Sequence, residues 1–315
     1  MWRYSGRGRR EPAFVSVTPG ILANCPYNFP FGDTVHLSVP VFELVVFGGS
    51  VGAGFVGAIA GLGGGVLLVP MLTIGLGVDL RFAIGASIVS VIATSSGAAA
   101  AYVRDHLTNL RIGMFLEIAT TVGAITGALV EGLVHPKILF IIFGVILMVS
   151  VAPLLLRLGE EHPRGVRSDW WAKRMRLAGQ YPDARTGQPI AYEVTGVPVG
   201  FLLMYVAGVI SGLLGIGSGT FKVLAMDTGL RLPMKVSSTT SNFMIGVTAA
   251  ASAGVYLTRG DVAPLLAAPV ALGVLAGATL GSRFLVGARN TTIRRIFIPL
   301  MFVIAIEMLV RGIQG

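Results

Sequence analysis

The chain has 315 residues, 54% of them hydrophobic and only 12% charged, with a mean hydropathy of +0.79 and a net charge of +9. Soluble domains carry about 25% charged residues, so a chain this poor in charge cannot cover a water-facing surface. The lone cysteine, Cys25, excludes an intrachain disulfide, and the scattered His36, His106, His135 and His162 offer no metal-ligand spacing.

In chain order, residues 1–40 read as an N-terminal extension. "MWRYSGRGRREP" is basic, but it leads into a stretch with Pro and Gly, not the short apolar core and cleavage site of a signal peptide. Apolar blocks then begin. Phe82 to Val103 carries no charge, and isoleucine and leucine dominate Ile138 to Leu156. Each block meets the roughly 20 residues that a membrane helix requires. The basic residues fall between the blocks, which is the pattern that orients membrane spans. Nucleic acid is therefore not the expected partner; the lipid bilayer is.

The chain also repeats itself. "AGFVGAIAGLGGG" (Ala53 to Gly65) lies over "AGVISGLLGIGSG" (Ala207 to Gly219) at an offset of 207 − 53 = 154 residues. The same offset pairs Ser87 with Ser241, Thr94 with Thr248 and Tyr102 with Tyr256. "GAITG" (Gly123 to Gly127) resembles "GVLAG" (Gly273 to Gly277) at 273 − 123 = 150, which implies a shortened loop. Residues 41–156 form repeat 1 and residues 197–315 repeat 2, separated by a polar linker, 157–196. Seven basic residues in that linker place it in the cytoplasm, and Trp170 and Trp171 suit a short helix at the membrane surface.

Repeat 1 contains apolar segments at about 41–60, 63–78, 82–103, 111–134 and 137–156; repeat 2 contains them at about 197–214, 217–230, 234–257, 262–284 and 293–312. The expected fold is an all-α polytopic membrane protein: two homologous repeats of four to five hydrophobic segments, with glycine-broken or re-entrant helices around a central site. Five full crossings per repeat would invert the copies. A first-plus-second pair that forms one broken or re-entrant unit gives four crossings per copy and parallel copies. The basic residues do not choose between these, so the side of the N-terminus stays open.

The breaks are the glycine clusters Gly61, Gly63, Gly64, Gly65 and Gly215, Gly217, Ser218, Gly219. "GLLGIGSGTFK" is not a phosphate-binding loop, because Thr220 and Phe221 separate Gly219 from Lys222. Thr220 also stands where a dinucleotide fingerprint needs its third glycine. Non-helical backbone at membrane depth persists where it is buried or lines a cavity. A helix restarting after such a break exposes free N–H groups and its positive dipole end, which suits an anion. Gly123, Gly127, Gly208 and Gly212 have the spacing of close helix packing instead.

Lys222 sits in the first turn after the second break, where a cation opposes the dipole. It either faces an anion or snorkels to an interface. Its counterpart in repeat 1 is Leu68. Ser87, Thr94, Ser241 and Asn242, on the serine- and threonine-rich third segments, add neutral donors for an oxyanion. Glu117, Glu131 and Glu307 lie in or beside apolar segments and can carry protons, with Glu131 expected near an interface. No paired carboxylates, catalytic triad or metal cluster appears, so neither an enzyme nor a cofactor is expected.

"GLGGGVLLVP" and "GLLGIGSGTFKV" resemble the repeated glycine motif of the TauE/SafE sulfite exporter family, the TSUP anion permeases, over nearly everything from Val41 to Val310. Ser218 for the middle glycine, Leu224 opposite Pro70 and a long linker depart from the pattern. The resemblance implies a plasma-membrane secondary transporter of a small oxyanion, sulfite or an organosulfonate, working in export. Proton-coupled uptake of a small sulfonate or carboxylate, and a non-transporting membrane scaffold, stand as alternatives; self-association into a homo-oligomer is also open.

Overall fold

The computed structural model describes residues 39–60, 64–104, 108–156, 166–182, 189–285 and 290–314. The N-terminal extension up to residue 38, with Gly61 and Gly63 of the first glycine cluster, lies outside them. The first half contains α1 (Val39–Ala60), α2 (Gly65–Pro70), α3 (Leu80–Arg104), α4 (Leu110–Glu131) and α5 (Pro136–Leu156). The second contains α7 (Val197–Leu214), α8 (Gly219–Leu224), α9 (Met234–Arg259), α10 (Pro264–Leu285) and α11 (Asn290–Gln314). Between them the linker forms a short helix, α6 (Trp170–Arg174), and a hairpin of β1 (Gly179–Pro182) and β2 (Pro189–Tyr192), with Gly179 opposite Tyr192.

Among the described residues, α1, α4, α7 and α10 contain stretches long and apolar enough to cross a membrane. Their outward side chains are large and bare, with Leu44 at 70% and Leu202 at 64% exposure. Such a surface fails in water and suits lipid, where no apolar area needs to be hidden. Polarity is inverted toward the middle. Ser87, Ser90 and Ser95 on α3, and Ser237, Thr240, Ser241, Thr248 and Ser252 on α9, are buried. Four of these eight, Ser90, Ser95, Thr248 and Ser252, donate to a carbonyl one turn back, which satisfies a hydroxyl in a dry interior.

Helices pack by swapping halves. The main contacts are α1 with α10, α4 with α7, α3 with α9 and α5 with α11. Glycine makes the first two close. Gly208 faces the Thr120 backbone and Gly212 the Ala124 backbone; across the molecule, Gly54 faces the Val274 backbone. Any side chain at these positions would collide with main chain, which cannot move away cheaply. Gly123 packs on the Tyr205 carbonyl and Gly277 on the Val51 carbonyl. These are the same contact 154 residues apart, so the partner of "GAITG" is "GATLG" at Gly277 to Gly281, and the shorter 150-residue offset is corrected. No loop is shortened: α4 and α10 begin at the same offset as the preceding helices.

The paired short helices double back. After α7, Gly215 takes the left-handed conformation (φ +66°) and donates its N–H to Ser211, ending the helix. α8 then runs back along α7 until Gly229 lies against Gly200, and Thr195 donates to the Leu230 carbonyl. α2 returns along α1 in the same way, with Met71 against Gly49. Such a hairpin finishes beside its own start. α3 and α9 are antiparallel, with Gly85 by Asp261 and Asn109 by Thr240 at opposite ends. Both α2 and α8 continue into one π turn, Met71–Gly75 and Ala225–Gly229. Leu224 precedes the second turn where Pro70 precedes the first, so the missing proline N–H is not its cause.

Candidate functional site

The two glycine breaks meet. A Cβ added at Gly65 would lie 3.2 Å from the Gly215 carbonyl and 2.8 Å from the Ser87 hydroxyl. Ser87 Oγ donates to Gly215 O at 2.8 Å and lies 3.3 Å from Gly65 O; at the equivalent place Ser241 Oγ donates to Gly219 O at 3.1 Å. Thr94 donates back to Ser90 at 3.1 Å. Three of the hydroxyls read as oxyanion donors are thus directed at main-chain carbonyls. Gly64 and Gly65 begin α2, and Gly215 and Gly217 (φ +72°) form the second turn, where both are buried. Asn242 and Thr220 are partly buried.

Ser218 stands apart. It caps α8 in the left-handed region at φ 45°, which L-residues adopt at a cost of about 1–3 kcal/mol. It is 2% exposed, and its Oγ has no hydrogen-bond partner among the described residues. The equivalent residue, Gly64, is right-handed at φ −64°.

Lys222 does not snorkel. It is fully buried and donates from Nζ to Thr248 Oγ1 at 2.5 Å. Thr248 Oγ1 in turn lies 2.7 Å from Glu117 Oε1, 2.9 Å from the Met244 carbonyl and 3.4 Å from Thr120 Oγ1. Thr121 also donates to Glu117 Oε1, at 3.2 Å, while Glu117 Oε2 is buried without a hydrogen-bond partner among the described residues. The sequence pointed separately at the lysine and the carboxylate; it did not show that one threonine joins them. Two charges inside apolar segments of different halves were the available signal, since such groups pair when buried.

A second ionic group closes the far end of α4. Glu131, expected near an interface, is completely buried: Arg259 Nη1 lies 2.7 Å from Oε2 and Arg81 Nε 3.7 Å from Oε1. Arg259 also donates to the Ala128 and Leu129 carbonyls, and Asp261 lies 3.7 Å from it. Beside it, fully buried Tyr256 donates to the Gly212 carbonyl at 2.6 Å. Glu307 is half exposed, 3.5 Å from Arg311. Among the described residues no group of three or more acidic, histidine or cysteine side chains could hold a metal ion.

At the opposite end Asn109 caps α4 by accepting from Ile112 N and holds the linker through Leu177 O and Tyr192 Oη. Burial pushes the Tyr192 phenol above its ordinary value, against the opposing effect of that hydrogen bond.

The model of the sulfite exporter TauE/SafE family matches residues 46–308. The chain belongs to the TauE/SafE family. It shares 27% identity over 273 residues with the "Probable membrane transporter protein YunE" of Bacillus subtilis, covering 83% of this chain and 95% of that protein. It is 26% identical over 242 residues to the "Probable membrane transporter protein YdhB" of the same organism, covering 76% and 88%. A third relative, "Probable membrane transporter protein ORF9" of a Sinorhizobium, is 23% identical over 264 residues, covering 82% and 87%. No solved structure matches the chain. This TauE/SafE member is thus a transmembrane protein of a transporter family, and both breaks, Lys222, Glu117 and Thr248 fall inside the matched region.

Proposed function

We propose that the protein is a secondary transporter of a small oxyanion, sulfite or an organosulfonate, and that it exports its substrate across the plasma membrane. The observation that carries this reading is Lys222: a fully buried ammonium one turn after a helix break, in a family of sulfite exporters. A cation at membrane depth is costly unless it has work to do. Its Nζ has three donors, of which one goes to Thr248. Ser218 Oγ adds an unsatisfied hydroxyl on the same turn.

The two halves form inverted repeats, and the α1–α2 and α7–α8 hairpins re-enter from opposite membrane faces so that their tips meet at the substrate. The return of each hairpin and the antiparallel α3–α9 pair support this arrangement. The linker then lies on the cytoplasmic side with the start of α7, as its basic residues favour.

The test is a flux panel in proteoliposomes with sulfite, sulfate, thiosulfate, sulfoacetate and acetate. Sulfite or sulfoacetate should cross faster than through protein-free vesicles. Correctly folded protein that moves none of the five would return the chain to the scaffold reading.

A further inference from the structure

We propose that Glu117 is the built-in counter-charge of the Lys222 site, so that the empty carrier is neutral and the loaded carrier is the charged one. The inference rests on the substrate reading above and adds how voltage acts on the cycle.

The geometry is a three-residue bridge. Lys222 from α8 donates to Thr248 on α9, whose oxygen touches Glu117 on α4. The charged group facing Glu117 is Lys222; its other close neighbours are the neutral hydroxyls of Thr120, Thr121 and Thr248. The pair occurs once, because the positions equivalent to Lys222 and Glu117 are Leu68 and Ala271. Both charges are taken out of water, with Lys222 at 0% and Glu117 at 8% exposure. Either alone would be an uncompensated charge in a medium that stabilises it poorly; together they sum to zero. Each also keeps unused capacity: among the described residues Glu117 Oε2 has no hydrogen-bond partner, and the ammonium has donors beyond the one given to Thr248. A monoanion arriving at those donors therefore loads a neutral site and leaves it with one net negative charge.

The two halves of the transport cycle then differ. With Glu117 ionised, the loaded carrier moves through the membrane field carrying the substrate's charge, and the empty carrier returns without electrical work. Glu117→Gln reverses this: the empty site is positive and the loaded site neutral. The charge moved per complete cycle stays the same, so the overall driving force is unchanged and only the voltage-sensitive limb shifts.

Self-exchange isolates the loaded limb, because no empty carrier needs to return. Exchange of labelled sulfite and labelled methanesulfonate, a strong-acid monoanion, is measured in proteoliposomes at 0 and 100 mV. For a charge crossing the whole field, the loaded carrier's distribution shifts about fiftyfold over that range. Wild-type exchange should change several-fold, Glu117→Gln exchange should be flat, and the double variant Lys222→Met/Glu117→Gln should regain voltage dependence. Voltage-insensitive exchange in the wild type would overturn the proposal without any variant. So would a Glu117→Gln protein that keeps the wild-type voltage response. Exchange of neither anion by the wild type would instead sink the substrate reading, and the counter-charge role with it.

Discussion

The Ser87 hydroxyl on α3 donates to the carbonyl of Gly215, 128 residues further along the chain, at 2.8 Å. A side chain of the first half thus ties down the break of the second. Ser87→Ala should cost about 1–3 kcal/mol by leaving a buried carbonyl without that donor. Thermal unfolding in detergent measures it. An unchanged midpoint would mean that another group satisfies Gly215.

Lys222 and Thr248 lie 2.5 Å apart, with the anion expected on the remaining ammonium donors. Lys222→Met should raise the apparent KM for sulfite at least tenfold and also leave Glu117 unpaired, which makes the protein less stable. Lys222→Arg keeps the charge but alters donor shape, and should retain part of the affinity. Transport kinetics that are identical in Lys222→Met and wild type would remove the lysine from the site.

The strain at Ser218 separates stability from function. Ser218→Gly should stabilise the fold by about 1 kcal/mol, because glycine adopts a positive φ without penalty. It should at the same time weaken sulfite binding several-fold through loss of the free hydroxyl. Ser218→Ala should lose affinity while keeping the backbone strain, gaining only what removal of the unsatisfied hydroxyl returns. A glycine variant with full affinity would show that the hydroxyl plays no part.

Glu131 is sealed by Arg259 at the end of α4, where Arg259 also engages two carbonyls. Arg259→Met should destabilise the protein by about 3 kcal/mol, since it strands a buried carboxylate. Restoring the balance with Glu131→Gln in the same chain should recover most of that loss in a double-mutant cycle. Simple additivity of the two substitutions would argue that they do not interact.

What could be read from the sequence follows physical periodicity. Apolar blocks, duplicated glycine clusters and serine-rich third segments were legible, because each depends on local composition. The register of α4 against α10 was not: "GVLAG" and "GATLG" are four residues apart, one helical turn, and both present glycine to the neighbouring helix. The contact of Gly277 with Val51, matched by that of Gly123 with Tyr205, distinguishes them, as does the common start offset of α4 and α10. The pairing of β1 with β2 was also missed, since two four-residue strands leave almost no hydrophobic pattern. The Lys222–Thr248–Glu117 bridge joins residues on three helices, and no spacing along one chain encodes it. Lys222 and Glu117 were visible as misplaced charges; their partnership was not.

A voltage-clamped distribution experiment tests transport of an anion most directly. Proteoliposomes loaded with labelled sulfite are held at 100 mV, interior negative, with equal pH on both sides. A monoanion is driven outward by about 2.3 kcal/mol at that potential. Sulfite carried as the hydrogensulfite monoanion should leave until its concentration outside exceeds that inside by about fiftyfold, and reversing the potential should reverse the gradient. Sulfite that stays at its protein-free rate, or settles at equal concentrations on both sides whatever the voltage, would contradict an anion exporter driven by membrane potential.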